Sequence, residues 1–211
     1  NRPLGATEIQ AIAAAPGGKV LVDPVPAPQA QTVPVPPGLV AWWSGEGNAS
    51  DRLGSSNGTL APGTSFFTGK VGQAFSLDAV SEGVSLGNAT QPAALQLQNL
   101  TIEAWVRRTV SAAAIPPYAT LDNPGWGGIL IDYGPAGYAL ELLPNGQLGF
   151  GQETVNEVPS GSLLAVTDTN WHHVAVTKEG TTLVFYVDGV SKTVLGYTSV
   201  FTFGNSAAIG M

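Results

Sequence analysis

The chain of 211 residues contains no cysteine. Disulfides therefore take no part in its fold, and thiol catalysis and cysteine-ligated zinc are excluded. Charge is scarce too: Asp, Glu, Lys and Arg make up 11% of the residues, where an ordinary globular chain carries about a quarter. Cations are the scarcest part of that. Eight Lys and Arg stand against fifteen Asp and Glu, for a formal net charge of −7. So few cations argue against binding nucleic acid and against docking on an anionic bilayer. No apolar run approaches the roughly 20 residues of a membrane-spanning helix, so membrane insertion is not expected. The chain opens at Asn1 without a signal-peptide pattern and is expected to be a processed or excised piece.

Glycine (27) and proline (16) are plentiful, together about a fifth of the chain, which points to many turns and few long helices. Residues 1–19, "NRPLGATEIQAIAAAPGGK", predict a short helix: Thr7 can cap it, Glu8 sits in its first turn, and Ile9 and Ile12 share a face. Residues 20–38 hold the run "VDPVPAPQAQTVPVPPG", whose prolines favour an extended, semi-rigid linker and forbid a sheet interior. From 39 to 211 short apolar runs alternate with Gly-rich turns. "LVAWWS" (39–44) predicts a strand, and "QAFSLDA" and "EGVSLG" predict a strand pair. In "LTIEAWVRRTV", Ile102, Ala104 and Val106 face one way while Glu103, Trp105 and Arg107 face the other. "GYALELLPNGQLGFGQ" is a hairpin turning at Pro144-Asn145-Gly146. Further turns are expected at Glu179-Gly180 and Asp188-Gly189 in "WHHVAVTKEGTTLVFYVDGVSKTV". Strands at this spacing without recurring helices predict an all-β antiparallel sandwich, preceded by the short helix and the proline-rich linker.

Seven stretches occur in order between Val40 and Gly210: "GLVAWWSGEGNASD", "GKVGQAFSLDAVSEGVSLG", "LTIEAWVR", "GGILIDYG", "GYALELLPNGQLGF", "NWHHVAVTKEGTTLVFYVDG" and "AAIG". Together they resemble the laminin-G-like modules of the concanavalin A-like lectin/glucanase superfamily, and the resemblance implies a jelly roll of two stacked sheets. Such modules usually finish with a strand like Gly-x-Ile-Asp-Glu-Val-Arg-Ile-Tyr, whereas this sequence stops at Met211 and its first residues resemble the end of such a module. The expectation is a chain made of the tail of one module, a linker, and most of the next, cut from a tandem array or polymer. A sandwich short of one strand has an open edge, which a neighbouring copy could fill with an added strand. The linker valines Val22, Val25, Val33 and Val35 are the candidate interface with neighbouring copies.

Chemistry-bearing residues are few. His172 and His173 are adjacent on an expected strand, so they point to opposite faces and do not converge on one ion or substrate. Asp168 is the only carboxylate close before them, and the pair reads as architecture. The superfamily includes laminarinase-type enzymes, which hold their acids in a Glu-x-Asp-x-x-Glu run. No such run occurs here: Glu103 and Glu141 stand alone, and Glu153 and Glu157 lie in a polar loop, so no catalytic residue is expected. Calcium is the expected cofactor, held by the loop oxygens of Glu46, Asp51 and Asn57 (with Asn48 beside them) and by Asp78. The resemblance supports it, since laminin-G-like modules often hold calcium at a rim, although one expected ligand belongs to the absent strand. The competing reading makes these residues turn-formers that satisfy their own backbone. Asn48, Asn57, Asn88 and Asn99 match the N-glycosylation pattern, which arises readily by chance in such a chain. Trp42, Trp43, Trp105, Trp126 and Trp171 could stack on sugars. Trp126, in the long insertion "SAAAIPPYATLDNPGW" with Tyr118, is the expected ligand contact.

The reading that follows is a non-catalytic, extracellular structural or adhesive module in an array or filament. The alternative is a carbohydrate-binding module of a larger secreted or surface protein. Exposed aromatics on a sheet face would favour the alternative, and apolar contacts through linker and termini the first.

Overall fold

The computed structural model describes residues 35–78, 81–86, 93–114, 128–152 and 155–210. The expected helix, most of the linker with Val22, Val25 and Val33, and the insertion with Tyr118 and Trp126 lie outside the described residues; Val35 lies inside and is exposed. The chain divides into two compact units, Asn1–Gly38 and Leu39–Met211, and every described strand belongs to the second.

In chain order the strands are β1 Thr59–Leu60, β2 Ser65–Thr68, β3 Gln73–Ser76, β4 Val84–Ser85, β5 Leu100–Val106, β6 Gly128–Asp132 and β7 Ala139–Leu142. They continue with β8 Leu148–Gly151, β9 Val158–Pro159, β10 His172–Glu179, β11 Thr182–Val187, β12 Val190–Leu195 and β13 Ala208–Ile209. Seven of them form a long antiparallel sheet in the order β1-β4-β13-β6-β7-β8-β9, and four form a short one, β12-β11-β10-β5. The hairpin β2-β3 stands apart from both. No membrane-length apolar helix occurs among the described residues.

Period-two alternation turns these sequences into a sandwich. Leu140, Leu142, Leu148 and Phe150 of β7 and β8 face Val174, Val176, Leu183 and Phe185 of β10 and β11 in one apolar core. Each such side chain, taken fully out of water, contributes roughly 1.5–3 kcal/mol. β5 keeps the expected alternation: Ile102, Ala104 and Val106 pack toward the core, and Glu103 and Trp105 are exposed on the other face. At one end of the sandwich Tyr133, Tyr138, Phe150, Tyr197, Phe201 and Phe203 form a chain of ring contacts, the closest with centroids 4.8 Å apart. Burial pushes the Tyr138 phenol far up, so it stays neutral and donates to the Leu95 carbonyl at 2.7 Å. Two buried cations are tied down by carbonyls. Lys178 donates to Gln98 and Gly180, and Arg108 to Val110, Leu143 and Pro144.

Two expected elements differ. Leu39–Ser44 is not a strand: the Asp51 side chain captures the Trp42 amide and Trp42 gives its carbonyl to Arg52, leaving one isolated bridge between Trp43 and Asp51. "QAFSLDA" and "EGVSLG" do not pair with each other. β3 pairs with β2, whose "SFFT" gives no strand signal of its own, and β4 pairs with β1 and β13. The two Phe residues of β2 sit beside polar loop residues, so its short alternation carried little signal.

Candidate functional site

The loop expected to hold calcium is organised by one carboxylate. Asp51 Oδ1 accepts the amides of Trp42 and Leu53 (2.8 and 3.0 Å). Its Oδ2 accepts the amides of Ser55 and Ser56 (3.1 and 3.0 Å) and the Ser55 hydroxyl (3.2 Å). Five donors saturate the roughly four lone-pair directions of a carboxylate. Burial alone would raise its pKa, but the backbone hydrogen bonds outweigh that and hold it below the usual range. Asn57 gives its oxygen to the Asp51 amide, Asn48 bridges Glu46 and Ser50, and Glu46 takes the Gln73 amide on both oxygens. Asp78 is exposed, and its amide donates to Glu82. Among the described residues no group of three or more His, Asp or Glu side chains gathers in metal-ligating geometry.

The histidines part as the strand dictates. His172 lies across from Val106 and His173 across from Trp105, on opposite faces of β10. The carboxylates around His172 were only half legible. Asp168 Oδ1 meets its Nε2 at 3.0 Å, and Asp188, from the turn after β11, meets Nδ1 at 2.7 Å. Burial would depress this imidazole; the two carboxylates outweigh it and raise its pKa, while His172 holds both aspartates below their usual range.

Glu141 is less solitary than its sequence context suggests. It is 3% exposed, faces away from the core, and lies across from Gly149 on β8. A Cβ at Gly149 would collide with Glu157 Oε1 at 2.0 Å, so the two carboxylates are neighbours on the outer face of the long sheet. Glycine at 149 makes that seat, which spacing along one strand did not reveal.

The exposed aromatic surface lies on the opposite side of the molecule. On the outer face of the short sheet Trp105 is 47% exposed, with the His173 ring edge-on at 5.4 Å and the Lys70 ammonium 4.8 Å from its centroid. Glu103 on the same face pairs with His173 at 3.5 Å. Next along β5, the Arg107 guanidinium lies over Phe67 at 4.6 Å and Trp171 at 5.4 Å, and those two rings stack at 5.8 Å with 13° between planes. Trp42 is half exposed, and Trp43 anchors inward, donating from Nε1 to the Ser56 carbonyl. Trp105 and Arg107 were legible as face-mates from alternation. Lys70 and Phe67 arrive through the β2-β3 hairpin, for which no local signal existed.

A laminin G family model of the concanavalin A-like lectin/glucanases superfamily matches residues 78–211, and the chain belongs to that superfamily. Comparison with curated proteins gives no match. Among solved structures, domain 4 of an extracellular family 43 arabinanase from Geobacillus stearothermophilus, in complex with arabinotriose, is 19% identical with a TM-score of 0.54 over 78% of each chain. A Trypanosoma rangeli sialidase is 18% identical with a TM-score of 0.54, covering 81% of this chain and 26% of its own. The botulinum neurotoxin serotype D binding domain is 16% identical with a TM-score of 0.51, covering 76% and 40%. At these identities the likeness is one of fold.

Proposed function

We propose that this protein is a non-catalytic carbohydrate-binding module of a secreted protein, taking its glycan on the outer face of the short sheet. The observation that carries this reading is Trp105, a half-exposed indole fixed on a strand, with Trp171 and Phe67 continuing the aromatic surface. A rigid exposed ring suits the apolar face of a sugar at low entropic cost. The sandwich supports binding without cleavage: Glu141 and Glu157 stand on the far sheet, and on the face of Trp105 the described strands carry Glu103 and Glu179, the latter four residues along β10 from the partner of Glu103, roughly 13 Å away and too far for an acid pair. The arabinanase domain solved with arabinotriose adds support for a glycan ligand, and its extracellular parent for secretion. The test is a glycan array probed with the full chain and with Trp105→Ala. Binding to at least one glycan family, reduced tenfold or more by the substitution, is the expected result. A chain that binds no glycan, or binds equally well without Trp105, sinks the reading.

Assembly with neighbouring copies is a second reading, favoured by the edges of the short sheet. β5 forms one edge over seven residues, and β12 the other, with Val190 and Leu195 60% and 76% exposed. Sedimentation of the chain over a hundredfold concentration range tests it; a constant monomer mass removes it.

A further inference from the structure

We propose that the glycan taken by this surface is acidic: a polysaccharide bearing uronic-acid carboxylates, whose charge is held by Lys70 and Arg107 while the rings beneath them hold the sugar faces. This rests on the carbohydrate-binding reading above and goes further by naming the ligand's charge.

The cation inventory carries the inference. Only six of the chain's eight Lys and Arg lie among the described residues. Arg108 and Lys178 are buried and bound to carbonyls. Arg52 donates through Nε to Ser44, and the Lys192 ammonium lies beside Gly161. The remaining two, Lys70 and Arg107, come from separate elements, a hairpin turn and a strand end; Lys70 lies over the half-exposed Trp105 and Arg107 over the partly buried Phe67 and Trp171 of the same surface. Neither makes an ion pair with another described residue, although the protein carries nearly twice as many acids as bases.

Their local carboxylates are occupied elsewhere. Glu103 is paired with His173, and Glu46, beside the hairpin, has both oxygens on the Gln73 amide. A guanidinium lying on aromatic rings keeps its in-plane N–H donors free at the edge, where they match a carboxylate in a two-pronged hydrogen bond. Lys70 offers a second, compact positive charge over Trp105. A neutral sugar would need the rings and would have no use for two unpaired cations. A surface that combines both is complementary to a ring carrying a carboxylate.

The experiment is calorimetric titration of the full chain with three probes: an oligogalacturonate, its methyl ester, and a neutral arabino-oligosaccharide, each at low and high salt. The acid is expected to bind at least tenfold tighter than its ester, with affinity falling as salt rises. Lys70→Ala combined with Arg107→Ala is expected to erase that preference, while Arg52→Ala leaves it intact. Melting curves of the variants keep misfolding separate from lost recognition, and the single variants replace the double one if it melts early. Equal affinity for acid and ester, preference for the neutral probe, or a preference surviving in the double variant overturns this inference and leaves the carbohydrate reading standing. Binding to none of the three probes or to any array glycan overturns both.

Discussion

Asp51 shows what one residue can settle. Its two oxygens replace the hydrogen-bond ladder that Leu39–Ser44 does not form, holding Trp42 on one side and residues 53–56 on the other. Asp51→Ala strands several amides at once and is expected to cost roughly 3 kcal/mol, read as a lower urea midpoint. Because the folded carboxyl lies below the ordinary aspartate value of 3.8, its contribution is complete above that pH and fades as pH falls through the lowered folded value. The same saturation bears on calcium. A cation at this loop would have to displace bound donors, so adding calcium or a chelator is expected to leave Tm unchanged. A rise of several degrees with calcium would reveal a site. The acidic, Asn-rich composition of the loop was plain in the sequence, but composition alone did not distinguish a carboxylate that serves its own backbone from one that serves an ion.

At the scale of the element, the β10-β11-β12 meander is where local rules and structure agree best. Asp188 (φ 49°) and Gly189 (φ 80°) make the tight turn that the Asp-Gly dipeptide advertised. A Cβ at Gly189 meets nothing within 4 Å, so Gly189→Ala bears only the backbone cost of the left-handed conformation, about 1 kcal/mol in thermal unfolding. The turn also brings Asp188 back to His172, closing a carboxylate–imidazolium–carboxylate clamp across the meander. Raising the His172 pKa above 6.5 means its contribution is full below pH 6.5 and is lost as pH climbs through the folded value. The two aspartates contribute above pH 3.8 and lose that only at lower pH. The stability difference between wild type and His172→Gln is thus expected to be largest between about pH 4 and 6.5 and to shrink toward pH 9, measured by urea melts across that range. Strong alternation made β5, β7, β8, β10 and β11 legible. β2 carries no such signal, and β3 and β4 do not pair with each other as expected, because strands of two to four residues take their partners from tertiary packing rather than from pattern.

For the whole molecule, the two faces of the short sheet divide packing from the proposed glycan surface. Phe185, in the core, is expected to cost 3–5 kcal/mol as Phe185→Ala, whereas Trp105→Ala on the outer face should cost about 1 kcal/mol or less. Chemical denaturation of both variants checks this and keeps Trp105→Ala interpretable as a binding variant. Half of the candidate surface was available from the alternation of Trp105 with Arg107. The other half depends on a hairpin that folds over from residues 65–76, a long-range event that no short window of sequence encodes. The way the sandwich is entered has a mechanical consequence. Drawn outward from Leu39, a laddered strand would peel off one bond after another, each rupture small. Here the closure is concentrated: Asp51 holds the Trp42 amide to those of Leu53, Ser55 and Ser56, with Trp43 Nε1 on the Ser56 carbonyl and the Arg52 amide on the Trp42 carbonyl beside it, so a pull on Trp42 loads these bonds together rather than in turn. Such a loop yields to a pull more as a latch does than as a zip.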